Sequence, residues 1–276
     1  MQRLGQHFLK NQAAIEKIVT SLELKKNETV VEVGPGHGEL TLPLAEACKK
    51  IGCNIIAIER DAVLAKDLAK NFQFSIFNFQ KDSPKNIPVG QSCVVEGDAL
   101  KILPEICFAL HASRFKIVGN IPYYITGHLL RVVGELERHP EISIFTIQKE
   151  VAERVVAAAP EMNKLAASVQ FWAEPKLLGF LGKNDFIPPP NVDSAVIELK
   201  ARNRWDGADA EKYYLAVRML FAQPRKTILN NLSAKQNARA LPKEKIVESL
   251  KKIGVRSEDR PQNLTVEQIV EISRLF

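Results

Sequence analysis

Thr29-Val30-Val31-Glu32-Val33-Gly34-Pro35-Gly36-His37-Gly38 is the stretch on which the fold turns. Thr29–Val33 reads as a short apolar strand rich in β-branched residues, and three glycines at alternate positions follow it. An amphipathic helical pattern then runs from about Glu39 to Lys50. Strand, glycine-rich turn and helix in that order form a ligand-binding elbow. Glycine lets the backbone turn tightly and approach a ligand, and the first N–H groups of the helix face that ligand. The alternate spacing differs from the dinucleotide pattern G-x-G-x-x-G, and the loop by itself does not name what it binds.

Outward from this elbow the same alternation extends from Lys26 to Lys200. Asn54–Glu59 reads as a second strand, and Ala62–Phe72 as its helix, with Leu64, Leu68 and Phe72 on one face. Ser92–Glu96, Phe115–Gly119 and Ile142–Gln148 are further strands, the last leading into a helix through Glu150–Ala158. Lys176–Leu181 and Ala195–Leu199 complete the series. Apolar runs of this length interleaved with helices imply an α/β domain whose mostly parallel sheet is covered on both faces. After Leu199 the strand signals stop. Beyond the polar connector Ala201–Gly207 come helical periods at Ala210–Phe221, Lys226–Leu232, Lys243–Ile253 and Val266–Leu275. Thr265 and Gln268 have capping-box spacing before the last of these. Two domains are expected, an α/β domain over 1–199 and an all-helical one over 200–276.

Composition sets the class. Of 276 residues 46% are apolar, enough for a real core, yet no apolar run approaches the length of a membrane span. No signal-peptide pattern opens the sequence, so a cytoplasmic protein is expected. Cys48, Cys53, Cys93 and Cys107 match no zinc or redox template, and buried thiols are expected rather than disulfides or metal ligands. The five histidines form no pair at ligand spacing, and no metal is expected. Charge is informative through its location. Residues 1–199 carry 22 Lys+Arg against 23 Asp+Glu, whereas 200–276 carry 16 against 9. A basic surplus in one segment suits a polyanion, although charge runs often only solvate helix faces.

Two acids extend the first site. Glu59 ends the second strand, where a carboxylate can accept both ribose hydroxyl hydrogens. Asp98, beside Ala99, follows the third strand, where it can take the amino group of a bound adenine. Either acid alone is more often a cap or a surface residue, but in register with the glycine loop at successive strand ends they favour a bound adenosine moiety.

A second site is Asn120-Ile121-Pro122-Tyr123, at the end of the strand Phe115–Gly119. An exocyclic amine holds its lone pair in conjugation with the ring, so its nitrogen must become more sp³-like before it can attack a methyl group. The Asn120 side-chain carbonyl and a backbone carbonyl can accept the two N–H bonds and hold that geometry without a strong base. Tyr123 can stack on a purine that has left its helix. Four such residues elsewhere would be an ordinary turn; their place after the fourth strand argues otherwise. A third segment, Phe186-Ile187-Pro188-Pro189-Pro190-Asn191-Val192-Asp193-Ser194, is stiffened by three prolines, and Phe186 is expected at the pocket rim opposite Tyr123.

Together these residues resemble the ribosomal RNA adenine dimethyltransferase family over nearly the whole chain. Gln6-His7-Phe8-Leu9 is similar to the family's N-terminal cofactor motif. The resemblance implies S-adenosylmethionine as cofactor, with S-adenosylhomocysteine as product. It implies contacts to that cofactor from His7, Leu9, Gly34, Gly36, Glu59, Asp98, Ala99 and Asn120, and a target-adenine pocket of Asn120, Ile121, Pro122, Tyr123 and Phe186. It further implies a seven-stranded methyltransferase sheet with an antiparallel final strand. Arg154, Arg225 and Lys226 are its candidates for RNA contact.

Pro188–Ser194, Arg225-Lys226-Thr227 and Arg260-Pro261-Gln262-Asn263-Leu264 resemble the small-subunit, kasugamycin-resistance branch. That branch dimethylates N6 of two adjacent adenosines in a hairpin loop near the 3′ end of 16S-type rRNA, within the maturing ribosomal subunit. Alternatives are a large-subunit dimethylase conferring macrolide resistance and a non-catalytic assembly or transcription factor of the same fold. A monomer is expected. Three positions depart from the family pattern. Pro224 stands where a basic residue is usual, either costing one phosphate contact or starting a helix. Met162-Asn163 replaces a Tyr-Gly pair, and Arg3 is the only charged side chain in Met1–Gly5. Ile121, in place of the first ring of a Pro-Pro pair, would leave room for a monomethylated amine.

Overall fold

The structure, a computed structural model, describes residues 7–78, 91–110, 114–202, 205, 207–234 and 242–276. Met1–Gln6, with the expectations about Arg3 and Gln6, lie outside the described residues. In chain order the elements are β1 (Phe8–Leu9), α1 (Gln12–Ser21), β2 (Thr29–Val33), α2 (Thr41–Ile51), β3 (Asn54–Glu59) and α3 (Ala62–Phe72). There follow β4 (Ser75–Asn78), β5 (Cys93–Glu96), α4 (Ala99–Ala109), β6 (Phe115–Asn120), α5 (Thr126–Gly134), β7 (Ile142–Gln148) and α6 (Lys149–Val156). The remainder are α7 (Lys164–Gln170), β8 (Ala173–Leu181), β9 (Phe186–Ile187), β10 (Ser194–Ala201), α8 (Ala210–Leu220), α9 (Ile228–Leu232), α10 (Lys243–Lys252) and α11 (Val266–Ser273).

The main sheet has the order β4-β5-β3-β2-β6-β7-β10-β8, eight strands where seven were expected. The addition is β4, a four-residue edge strand beside β5 whose first two residues are exposed, so it lacks the apolar run that marks its neighbours. Pairs β2–β3, β2–β6, β3–β5 and β6–β7 are parallel, and β10 runs antiparallel to β7. All five residues of β2 are buried, as are five of six in β3, which explains why both are mostly apolar. From β2 the chain builds outward to one side through β3 and β5, then crosses to the other side through β6 and β7. The crevice at that reversal, beyond the carboxyl ends of β2 and β6, is where open α/β sheets hold ligands.

Two compact units are present: residues 1–152 with 174–201, and residues 153–173 with 202–276. The expected boundary near residue 200 therefore misses a segment, because Met162, Ala166 and Ala167 pack in the helical core with Tyr213, Val217 and Ile269. With these boundaries the first unit carries 21 Lys+Arg against 21 Asp+Glu and the second 17 against 11. The whole net charge of +6 lies in the helical unit.

Within that unit Thr265 accepts the Gln268 backbone N–H while the Gln268 side chain accepts that of Thr265, the expected capping box. Asn163, the departure noted beside Met162, caps α7 by accepting the N–H groups of Leu165 and Ala166 and donates to the Arg154 carbonyl. Pro224 does not start a helix. It lies in the turn after α8, and α9 begins after Thr227, whose hydroxyl accepts the Asn230 N–H.

Cys48 and Cys53 are joined as a disulfide, contrary to the expectation of four separate thiols. Gly52, left-handed at φ +87°, ends α2 and folds the chain back so that Cys53 N–H donates to the Cys48 carbonyl at 3.0 Å. Cys93 and Cys107 are buried free thiols, and burial pushes both up to about 12. No helix among the described residues is long and apolar enough to cross a membrane. Nor are three or more His, Cys, Asp or Glu side chains among them grouped so as to hold a metal ion.

Candidate active site

The site is assembled from strand ends. Val33 lies opposite Ile58, Glu59 opposite Glu96, and Asn120 opposite Thr146, so Gly34, Glu59, Asp98 and Asn120 stand along one edge of the sheet. A cleft of about 270 Å³ is lined by Gly34, Glu59, Asp98, Ala99, Tyr124 and His128 among others. A smaller hollow of about 40 Å³ is lined by His7, Phe8, Gly34, Gly36, Asn120, Ile121, Pro122 and Tyr123. Gly34 borders both.

The glycine loop is shaped by necessity at two points. At Gly34 φ is +69° and nothing lies within 4 Å of where a Cβ would stand, so a side chain would project into open cleft. At Gly36 φ is +61° and a Cβ would sit 2.6 Å from the Phe8 ring, which packs over the loop and against His37.

Glu59 is 2% exposed. One carboxylate oxygen accepts the Gly36 N–H at 3.1 Å and the other the Asp61 N–H at 2.9 Å. Burial raises its pKa, while the hydrogen bonds from Asp61, Gly36 and Arg60 pull the other way. The carboxylate is thus oriented in advance, and each oxygen keeps a lone pair for a ligand hydroxyl. Asp98 caps α4 by accepting the Leu100 N–H at 3.1 Å. A bare backbone at Gly34, an oriented buried carboxylate and a second acid across the cleft fit an adenosine-bearing cofactor.

Beneath the loop the sequence concealed another acid. Glu32 is 1% exposed and accepts the Thr41 hydroxyl at 2.8 Å. Burial pushes its carboxyl up to about 8, with smaller contributions from the charges of Glu39 and Glu59. Its place inside a strand read as apolar gave no hint of this pairing.

On the acceptor side Asn120 Nδ2 donates to the His7 carbonyl oxygen at 2.6 Å. Tyr123 is hydrogen-bonded through its hydroxyl to Ser194 Oγ at 2.7 Å and stacks on His7. Ile121 is 2% exposed, its side chain packed over Gly119. Phe186 is not at the rim. It is 1% exposed and lies in the core of the sheet domain. The reason is register: β9 pairs with β1, Leu9 opposite Phe186 and Phe8 opposite Ile187, and alternation sends Leu9 and Phe186 inward while Ile187 is 57% exposed. Leu9, at 2%, likewise offers no side chain to either hollow. Arg154, Arg225 and Lys226 are all exposed and all belong to the helical unit.

Sheet order and the crevice at its reversal are those of a Rossmann-like methyltransferase fold. The full chain, residues 1–276, matches the ribosomal RNA adenine dimethylase family, and the protein belongs to it. It is 33% identical to ribosomal RNA small subunit methyltransferase A of Dehalococcoides mccartyi, covering 96% of this chain and 84% of that one. To the enzyme of the same name from Mycoplasma mobile it is 35% identical over 95% and 92%. Among solved structures it resembles a dimethyladenosine transferase from Plasmodium falciparum, with a TM-score of 0.76 at 21% identity over 96% of each chain. The 23S rRNA methyltransferase ErmE gives 0.70 at 24% identity, covering 97% of this chain and 98% of that one. These two likenesses concern the fold. Family membership makes the chain an rRNA adenine methyltransferase.

Proposed function

We propose that this protein dimethylates N6 of two adjacent adenosines in the hairpin loop near the 3′ end of 16S-type rRNA. Its substrate is the maturing small ribosomal subunit in the cytoplasm, and it acts as a monomer without a metal. The carrying observation is the Asn120 carboxamide, fixed at the end of β6 beside Gly34 and Gly36. The small-subunit names of its relatives favour this branch. S-adenosylmethionine is the cofactor that fits, held by Gly34, Gly36, Glu59, Asp98 and Ala99, with the His7–Leu9 backbone and Asn120 beside it. When bound it supplies a methyl group on a positively charged sulfur.

The chain's own groups do the rest. Asn120 Oδ1 accepts one N–H of the target amine and a backbone carbonyl of the same turn accepts the other, which draws the lone pair out of conjugation. Tyr123 offers its ring face to the purine, and Ser194 holds that ring by its hydroxyl. Phe186, buried in the core of the sheet domain, offers no ring to the purine. The helical unit supplies affinity and site choice, with Arg154, Arg225 and Lys226 as first phosphate contacts.

The deciding experiment incubates the protein and S-adenosylmethionine with small subunits lacking adenine dimethylation and maps the products by mass spectrometry. Two adjacent dimethyladenosines near the 3′ end are expected. Methylation of large-subunit RNA alone, or no transfer, would overturn the reading.

A further inference from the structure

The cofactor cleft has a wall that neither the glycine loop nor the two acids supply. Tyr124 and Ile125, from the turn after β6, and His128, from the first turn of α5, line it together with Asp98, Ala99 and Leu100. Helices α4 and α5 pack side by side, and each begins at the carboxyl edge of the sheet, α4 after β5 and α5 after β6. Asp98 caps α4, so His128 stands at the Asp98 end of the cleft.

Arg131, one turn further along α5, fixes where the imidazole carries its hydrogen. Its guanidinium Nη2 lies 3.1 Å from His128 Nε2. A guanidinium only donates, so Nε2 accepts and the ring hydrogen is on Nδ1. Glu135 holds the same guanidinium from the following turn, its carboxylate 3.9 Å from Arg131 Nε. Nδ1–H is bonded to no other described residue. A side-chain donor with a fixed hydrogen and no protein acceptor therefore borders the cleft.

The cleft is otherwise matched to only half of what adenine presents. Adenine offers an amino group that donates and ring nitrogens that accept. Asp98 and Glu59 are acceptors, suited to the amino group and to the ribose hydroxyls. Of the other side-chain donors lining the cleft, Arg60 is next to Glu59 in the chain, at the ribose end, and Tyr124 is 61% exposed. We infer that His128 binds the adenine of the cofactor, donating Nδ1–H to one of the two ring nitrogens that flank the amino group, N1 or N7. This rests on the reading of the cleft as the S-adenosylmethionine site. It adds a residue of α5 that the strand-end pattern does not supply.

Calorimetry on the full-length protein measures Kd for S-adenosylhomocysteine and for its 1-deaza and 7-deaza analogues, with thermal melts as a check on folding. His128→Ala should weaken S-adenosylhomocysteine about 3- to 10-fold, and S-adenosylmethionine by the same factor, because the contact is to adenine rather than to sulfur. His128→Asn places an N–H on the atom bonded to Cγ, as imidazole does at Nδ1, and should recover part of the loss. One deaza analogue should bind wild type more weakly and should bind wild type and His128→Ala equally, which names the nitrogen. Wild-type affinity in His128→Ala overturns the inference. So does a loss that persists with both analogues, which would put the histidine's contact elsewhere on the cofactor, or an asparagine variant no better than alanine. A wild-type protein that binds neither cofactor nor product would overturn the reading of the cleft and this inference together. One that binds both but transfers no methyl to small subunits would overturn the functional reading alone.

Discussion

Asn120 and His7 are joined side chain to backbone, and the direction of that bond fixes the chemistry. Nδ2 of Asn120 must be the end that meets the His7 carbonyl, so Oδ1 is the end left for a substrate N–H. Asn120→Ala should therefore lower the methyl-transfer rate by about 10²–10³ while S-adenosylmethionine affinity stays within a few-fold. Asn120→Asp should do no better, since an ionised carboxylate has no donor for His7. Single-turnover assays on small subunits read this directly, and a near wild-type rate in either variant would rule out the amide as the amine's acceptor.

Glu59 holds its carboxylate toward the cleft with two backbone donors behind it. Losing charged hydrogen bonds worth about 1.5–3 kcal/mol should weaken S-adenosylmethionine binding roughly ten- to a hundred-fold in Glu59→Ala. Calorimetry on the purified protein measures it. Unchanged affinity would remove Glu59 from the cofactor site.

That Gly34, Glu59 and Asp98 meet at one cleft could be read from sequence because each lies at or just beyond the end of a strand of a parallel sheet, and topology alone brings such ends together. The acceptor half depends on contacts between distant segments. A two-residue pairing of β1 with β9 decides that Phe186 faces the core and Ile187 faces outward, and no local pattern sets so short a register. The Cys48–Cys53 link depends on one left-handed glycine, and residues 153–173 join the helical unit because of what Met162 and Ala166 pack against. Neither leaves a periodic signal.

Glu32 predicts a pH dependence of stability. Its carboxyl moves from an ordinary 4.5 to about 8 because it is buried, so between those values the folded protein holds a proton that the unfolded chain releases. The contribution of this site is fullest below the unfolded value and declines as pH rises toward 8, at no more than about 1.4 kcal/mol per unit. Glu32→Gln keeps an acceptor for Thr41 and cannot ionise. Urea titrations should show variant and wild type differing by a nearly constant amount near pH 4, with the variant gaining steadily on wild type from pH 5 to 8. A difference independent of pH would show that Glu32 titrates normally.

Lys116, on the central strand β6, pairs with Glu28 at 2.8 Å, both side chains 1% exposed. Its ammonium also donates to the Glu23 carbonyl at 2.6 Å. Lys116→Met strands a buried carboxylate and should cost about 3–5 kcal/mol, whereas adding Glu28→Gln to it should restore much of the loss. Denaturant unfolding compares the three proteins. Equal instability of the single and double variants would show that the loss lies in packing rather than charge.

Arg225 and Lys226 test whether the basic surplus serves RNA or solubility. They are exposed in the turn between α8 and α9, where Lys226 N–H donates to the Gln223 carbonyl and Thr227 caps the following helix. The turn's backbone is thus held by groups other than their side chains. Replacing both with alanine should leave the fold and the cofactor affinity unchanged. Each phosphate contact contributes roughly 0.7–0.9 to the slope of log affinity against log salt. If both residues touch phosphates, the double variant should bind small subunits more weakly and flatten that slope by about 1.5–2 units. Filter binding across a salt series measures it. An unaltered slope would assign these two charges to solvation and move the RNA surface to other residues, Arg154 first among them.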